Sequence, residues 1–318
     1  MKRTILITGG TGFLGKWLGR ALKDQYDVVL TGRNNKHNMD AQQFTGCAVL
    51  PMDVSNIESV RDVFSEARPE VVVHAAATKY VDLSERQPME CLDVNVLGSQ
   101  NVARVAVERG TGVVIGMSTD KAAPPVGNTY GLTKALMERL FCAMNGKTET
   151  RFACVRHGNI AWSTGSVFPI WKRMHDSTGV IGSTGPDMTR YFSTVDEAVE
   201  LVVAAIDNIE EMQGKVLSRA MKAARIRDIL EVWIAHKGGS WKQIEGRPGE
   251  RPHEYLLGEP ELPYTSETSL AGVRHYVINF NQPSPQHPSA AFCSADAERL
   301  SEQELLDMIN NPPPEDIR

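Results

Sequence analysis

Residues 4–22 read TILITGGTGFLGKWLGRAL. The apolar, β-branched run TILIT predicts a buried strand, and the amphipathic stretch from about Gly12 to Leu22 predicts a helix. Between them Gly9, Gly12 and Gly15 stand in a GxxGxxG spacing. Glycines there allow a tight turn and let the backbone approach a pyrophosphate, whose charge the helix N-terminus stabilises. A glycine-rich turn without a ligand is the plain alternative; a strand before and a helix after favour a dinucleotide site.

Outward from this unit the alternation continues through DVVLTG, AVLPMD, a helix over Ile57–Ala67 and VVVHAAA. A long helix over Met89–Arg109, the strand GVVIGMS, a helix over Tyr130–Met144 and the strand FACVRHGN follow. Strands alternating with amphipathic helices imply an α/β, Rossmann-type doubly wound parallel sheet. Beyond Asn159 the pattern loosens around two clear helices, Asp196–Ile209 and Ile226–His236. The expected division is a cofactor-binding domain from 1–160 plus 189–218, and a smaller C-terminal substrate-binding domain from 161–188 plus 219–318. The prolines of NNPPPEDIR cannot continue a helix, so 311–318 is expected to be disordered.

The 318 residues are 42% hydrophobic and 23% charged, with a net charge of -5, so nothing electrostatic points to nucleic acid. No apolar stretch reaches the roughly 18 residues that span a bilayer. The apolar run after MKR breaks at glycines before any cleavage-like segment, so a soluble, cytoplasmic protein with a small-molecule partner is expected. Cys47, Cys91, Cys142, Cys154 and Cys293 are scattered and without CxxC spacing, which suggests free thiols, no disulfide framework and no metal site.

At the end of the second strand an acidic residue would contact a ribose 2'-hydroxyl, but the sequence reads TGRNN. Arg33 there suits a 2'-phosphate and favours NADP over NAD; a solvated arginine is the alternative. Asp53, after the third strand, is placed to contact adenine or else to cap a turn. Further on, Ser118, Thr119, Asp120 and Lys121 close a strand, and Tyr130 and Lys134 open the next helix. At a spacing of four, a lysine can stabilise tyrosinate and hold a nicotinamide ribose, making Tyr130 a base for a hydroxyl proton. Of the seven tyrosines only Tyr130 has a lysine four residues on.

These residues resemble the extended short-chain dehydrogenase/reductases, and within them the UDP-N-acetylglucosamine 4,6-dehydratases of flagellin glycosylation and capsule biosynthesis. The resemblance covers nearly the whole chain. It rests on TGGTGFLG, HAAATKYVDLSERQPMECLDVNVLGSQNV, STDKAA with YGLTKALMERL, VRHGNIAWSTGSVFPIWKRM, MTRYFSTVDEAVELV and EGRPGERPHE. It implies that Tyr130 deprotonates a sugar 4-hydroxyl as hydride passes to NADP+, that Lys121 removes the acidified carbon 5 proton, and that Asp120 protonates the departing 6-hydroxyl. A lysine base must be neutral for part of the cycle, which calls for a lowered pKa. Thr119 would bond the 4-hydroxyl, with Ser118 assisting. Cofactor contacts are implied at Gly9, Thr11, Gly12, Phe13, Leu14, Gly15, Arg33, Asp53, Val54, Ala75, Ala76, Ala77 and Asn95, besides Tyr130 and Lys134.

Substrate contacts are implied at Asn159, Arg190, Arg247 and Glu250, the arginines offering paired donors to a diphosphate. Lys79 either contacts substrate or is simply exposed, and His253 and Glu254 would organise their loop. His157 stands where the family more often has tyrosine and reads as structural. The segment AAPPVGNT between Lys121 and Tyr130 is one residue longer than the family pattern. A UDP-sugar substrate and a homodimer or higher homo-oligomer, paired through the Met89–Arg109 and Tyr130–Met144 helices, follow from the same resemblance. A 4-epimerase or ketoreductase would need Tyr130 and Lys134 but neither Asp120 nor Lys121. A non-catalytic NADP-sensing protein would have lost the tyrosine or lysine. Whether carbon 5 is also inverted stays open.

Overall fold

Residues 2–314 are described by a computed structural model. In chain order the first half holds β1 (Arg3–Thr8), α1 (Phe13–Leu22), β2 (Tyr26–Gly32), α2 (Asn35–Thr45), β3 (Ala48–Pro51), α3 (Ile57–Ala67) and β4 (Val71–His74). Then come α4 (Val81–Arg86), α5 (Pro88–Leu92), a π turn over Asp93–Leu97, α6 (Gly98–Glu108), β5 (Val113–Thr119), a 3-10 turn over Asp120–Ala122, α7 (Thr129–Met144) and β6 (Arg151–His157). The second half holds β7 (Asn159–Ile160), α8 (Val167–Thr178), β8 (Val180–Ser183), β9 (Thr189–Ser193), α9 (Val195–Asp207), α10 (Ile209–Met212), β10 (Val216–Arg219) and β11 (Ala223–Arg225). It ends with α11 (Ile226–Lys237), β12 (Ser240–Gln243), β13 (Tyr255–Leu257), a 3-10 turn over Glu259–Tyr264, β14 (Thr265–Leu270), β15 (Val273–Ile278), β16 (Phe292–Cys293) and α12 (Glu302–Asn310).

The main sheet has the order β14-β15-β10-β6-β5-β4-β1-β2-β3, parallel from β10 to β3. Its central strands are apolar on both faces because helices cover both. Ile5 and Ile7 pack with Leu18 and Leu22 of α1 and with Val202 and Ile206 of α9. Leu6, one pleat away, packs with Phe64 of α3, Val102 of α6 and Phe141 of α7. The strand order reverses between β1 and β4, and a crevice at such a reversal, beyond the strands' C-terminal ends, is where this architecture holds ligands. A third core, around Trp162, Phe168, Trp171 and Trp233, supports the second half.

The α/β reading and its parallel sheet match the structure. The domain boundaries need correction in two places. The β14–β15 hairpin, within the segment assigned to the substrate domain, adds antiparallel to β10 and extends the main sheet. β9, assigned to the cofactor domain, instead lies between β11 and β7 in a small separate sheet. The helix expected over Met89–Arg109 is interrupted by the π turn. Of the tail, Asn311–Pro314 has no regular secondary structure and borders a cavity of about 730 Å³, while 315–318 lies outside the described residues.

Candidate active site

Two glycines make the crevice and its catalytic edge possible. Gly9 has φ +63°, and a Cβ there would fall 2.7 Å from the backbone of Ala76, so the loops after β1 and β4 touch. Gly12 caps α1 in extended backbone with no side-chain hydrogen bond, which leaves the first N–H groups of Phe13, Leu14 and Gly15 for a bound anion. Thr8 ties the loops further: its hydroxyl accepts from Ala76 N and shares a 2.7 Å hydrogen bond with His74 Nδ1. His74 Nε2 reaches Ser99, and full burial holds this imidazole neutral, its pKa lowered to about 3. A cradle that only glycine fits, under an uncapped helix N-terminus, suits a nicotinamide dinucleotide.

At the adenosine end Arg33 is exposed and makes no ion pair or hydrogen bond among the described residues. Asp53 Oδ1 accepts from Ser55 N and Ser55 Oγ, so it caps a turn, the plainer of its two readings. Val54 is buried against Gly98. Thr11 packs on Gly32. Asn95, expected to touch cofactor, is held within the protein. It is fully buried, and its amide is consumed by Thr78 N and O, Cys91 and Thr133. Its role is to fix the loop holding Ala75, Ala76 and Ala77.

The chemistry-bearing cluster forms where β5 ends. A Cβ on Gly131 would fall 2.2 Å from the Lys121 carbonyl oxygen, so the first turn of α7 docks directly on the Asp120–Ala122 turn. That contact brings Tyr130 beside Thr119 and Asp120. Asp120 is fully buried; its Oδ1 accepts from Thr119 Oγ1 at 2.9 Å and from Lys121 Nζ at 3.0 Å, and its Oδ2 has no partner. Ser118 Oγ is also buried without one. Lys121 Nζ further reaches Asn159 Oδ1 at 3.3 Å and Glu254 Oε1 at 3.5 Å.

The electrostatics differ from expectation. Burial works to lower the pKa of Lys121, but Asp120 and Glu254 outweigh it with help from the Asp120 hydrogen bond, against Arg190, so the pKa is raised. The lowered pKa expected of a lysine base is therefore absent from the free protein. Burial and then Asp120 raise the Tyr130 phenol, while a hydrogen bond to Thr119 pulls it down. Lys134 is 2% exposed, and burial lowers its pKa to about 8. Its hydrogen bonds go to Met117 O at 2.7 Å and Met137 Sδ at 3.7 Å, none to Tyr130.

Asn159, Arg190, Arg247 and Glu250, from three separate stretches of sequence, line one small cavity of about 80 Å³. Arg190 donates to Thr189 O, Pro252 O and Arg251 O, and its Nε lies 3.9 Å from Glu254. Glu250 accepts from Thr184 Oγ1 and Arg247 N. Lys79 does not line that cavity; it is exposed by surface area, and the protein around it lowers its pKa to about 8. His253 bonds Thr189, and His157 bonds Gly158 O and lines the larger cavity. Among the described residues no cluster of His, Cys, Asp and Glu could hold a metal ion, and no helix is long and apolar enough to cross a membrane.

Sequence reasoning missed how the charges connect. Glu254, taken only as a loop organiser, is 2% exposed and faces Lys121, Arg190 and Arg251. Arg156 is fully buried between Glu138 of α7 and Glu261, joining β6, α7 and the C-terminal half. The sequence signal for Glu254 was its place in the motif EGRPGERPHE; for Arg156 there was none beyond an arginine in an apolar strand.

The chain matches, over residues 5–273, a family described as polysaccharide biosynthesis protein. It is 31% identical over 275 residues to a UDP-N-acetylglucosamine 4,6-dehydratase (inverting) of Campylobacter jejuni, covering 84% of this chain and 80% of that one. It is 33% identical over 274 residues to a UDP-glucose 4-epimerase of Rickettsia bellii, covering 82% and 79%. The X-ray structure of Pen from Bacillus thuringiensis superposes with a TM-score of 0.89 at 27% identity, covering 98% of each chain.

Proposed function

The chain belongs to the polysaccharide biosynthesis protein family, and on that premise we propose that it is a nucleotide-sugar 4,6-dehydratase. Its substrate would be UDP-N-acetylglucosamine and its product a UDP-2-acetamido-2,6-dideoxy-4-keto-hexose for surface glycans, made in the cytoplasm. Similarity to a dehydratase and to an epimerase is nearly equal, so identity does not choose between them. The observation that carries the reading is the buried Asp120–Lys121 pair beside Tyr130, with one carboxylate oxygen unpartnered. An epimerase has no step that needs it.

A bound nicotinamide cofactor would supply the hydride chemistry that links carbon 4 and carbon 6 of the sugar. Tyr130 accepts the 4-hydroxyl proton, with Thr119 positioned to share that hydrogen bond. The resulting ketone acidifies the carbon 5 proton, which Lys121 takes, and Asp120 gives its proton to the 6-hydroxyl as it leaves as water. A proton returns to carbon 5 at the end. Gly9, Gly12 and the start of α1 would hold the pyrophosphate of the cofactor, Lys134 its ribose, and Arg33 a 2'-phosphate, which makes NADP the proposed form. Asn159, Arg190 and Arg247 would hold the substrate diphosphate. Exposed Leu92, Leu97, Leu132 and Leu136, on the α5–α6 and α7 segments, suit a homodimer face.

The test is incubation of the purified protein, supplied with NADP+, with UDP-N-acetylglucosamine. Product mass should fall by one water, with solvent deuterium appearing at carbon 5. Unchanged mass with interconversion to the galacto isomer supports the epimerase reading instead.

A further inference from the structure

The segment from Arg247 to Glu261 runs the length of the site. Arg247 and Glu250 line the small cavity, and Gly249 O accepts from Asn128, the N-cap of α7, at 3.2 Å. Arg251 donates to Pro125 O in the loop between Lys121 and Tyr130 and pairs with Glu254. Leu256 O and Glu261 hold Arg156, which also binds Glu138 of α7. One stretch of chain thus ties the cavity, the acid and amine, and the catalytic helix together, and Glu254 is its only carboxylate that reaches Lys121.

We propose that Glu254 is a positioning residue of the elimination step, clasped by Arg251 and Arg190 so that it holds Lys121 Nζ beside Asp120 and controls how readily that proton is released. The inference rests on the dehydratase reading and deepens it. Elimination needs a neutral amine on Lys121 and a proton on Asp120. Both arise from one transfer along the 3.0 Å hydrogen bond between them: an N–H bond breaks, an O–H bond forms, and no co-reactant is needed. Glu254 opposes that transfer by stabilising the ammonium, and Arg251 and Arg190 temper the opposition by sharing its charge.

The groups facing Lys121 are Asp120 and Thr119 from its own turn, His157 at the end of β6, Asn159 of β7, Arg190 from β9, and Glu254, with Tyr130 of α7 facing Asp120 and Thr119 beside it. Glu254 is the one anion in that set apart from Asp120 itself. Neutralising it leaves Asp120 to hold the ammonium alone, so the transfer becomes easier. Neutralising Arg251 leaves Glu254 a stronger hold, so it becomes harder.

The experiment follows water loss and carbon 5 deuterium incorporation across pH in the wild type, Glu254→Gln, Glu254→Asp and Arg251→Met, each loaded with NADP+. In Glu254→Gln the rising limb of the profile should move to lower pH by on the order of one unit, with KM held within about threefold. Glu254→Asp should return the wild-type profile, and Arg251→Met should move the limb to higher pH. An unmoved profile, or a shift to higher pH, in Glu254→Gln overturns the role of Glu254. Should that variant not fold, Arg251→Met decides: no shift, or a shift to lower pH, overturns it equally. A wild type that loses no water refutes the dehydratase reading, and this inference with it, before any variant is compared.

Discussion

Lys134, on α7, is buried and Lys121, at its docking surface, is largely enclosed, yet their surroundings drive them in opposite directions. Lys134 sits among a backbone carbonyl and a thioether, and burial lowers its pKa to about 8 despite small opposing contributions from Cys154, Glu138 and Cys91. Burial also works against the charge of Lys121, but it faces two carboxylates, and its pKa rises. Burial fixes the penalty on charge; the neighbours decide which form survives it. Lys134 is thus a loosened cation, and Lys121 a tightly kept one whose proton has a nearby acceptor in Asp120.

Replacing Lys121 with methionine tests that division most severely. Removing a general base lowers rates by about 10²- to 10⁴-fold, so water loss should fall to the lower end of detection while NADP binding, measured by calorimetry, stays unchanged. Activity within tenfold of wild type would assign the base elsewhere and dissolve the contrast between the two regions.

A smaller effect, in stability, separates the lysines directly. The Lys134 pKa of about 8 in the folded chain lies below its ordinary 10.5. Between those values the unfolded chain binds the proton and the folded chain does not, so stability rises with pH across that window. With Lys134 2% exposed, solvent screens little of this, and the rise amounts to about 3 kcal/mol. Urea denaturation of the cofactor-free protein from pH 8 to pH 10.5 should show a gain in the wild type that is smaller by about this amount in Lys134→Met, because Lys79, its pKa also lowered to about 8, contributes to both. Lys121 has the opposite sign: its raised pKa contributes stability that is present below 10.5 and lost only as pH climbs through the higher folded value. Lys121→Met should therefore keep the gain seen in the wild type.

What the sequence revealed follows the same divide. Local patterns exposed β1, α1, α3 and α7 because strand and helix periodicities and the glycine spacing are written in neighbouring residues. Helix α2 escaped notice because it buries Asn38, Ala41 and Thr45 rather than an apolar stripe. Helix α8 escaped because Pro169 stands in its first turn, where its missing N–H costs nothing, although a proline usually reads as a break. The β14–β15 hairpin and the pairing of Glu254 with Lys121 depend on tertiary approach alone. Residue types announced an acid, an amine and a tyrosine; the protonation each carries came from partners distant in the chain.

The mildest test lies at the far end of the cofactor crevice, where Arg33 contrasts with both lysines by being exposed and unpaired. With no partner among the described residues, whatever it contributes must come from a ligand. A guanidinium fork on a 2'-phosphate at a solvated site is a charge-assisted contact, worth about 1.5 kcal/mol, or about tenfold in affinity. Arg33→Ala should weaken NADP binding by about that factor and leave NAD binding unchanged, measured by fluorescence titration with each dinucleotide. Equal losses for both would place Arg33 on a part of the cofactor they share, and no loss for either would return it to the solvated arginine of the sequence reading.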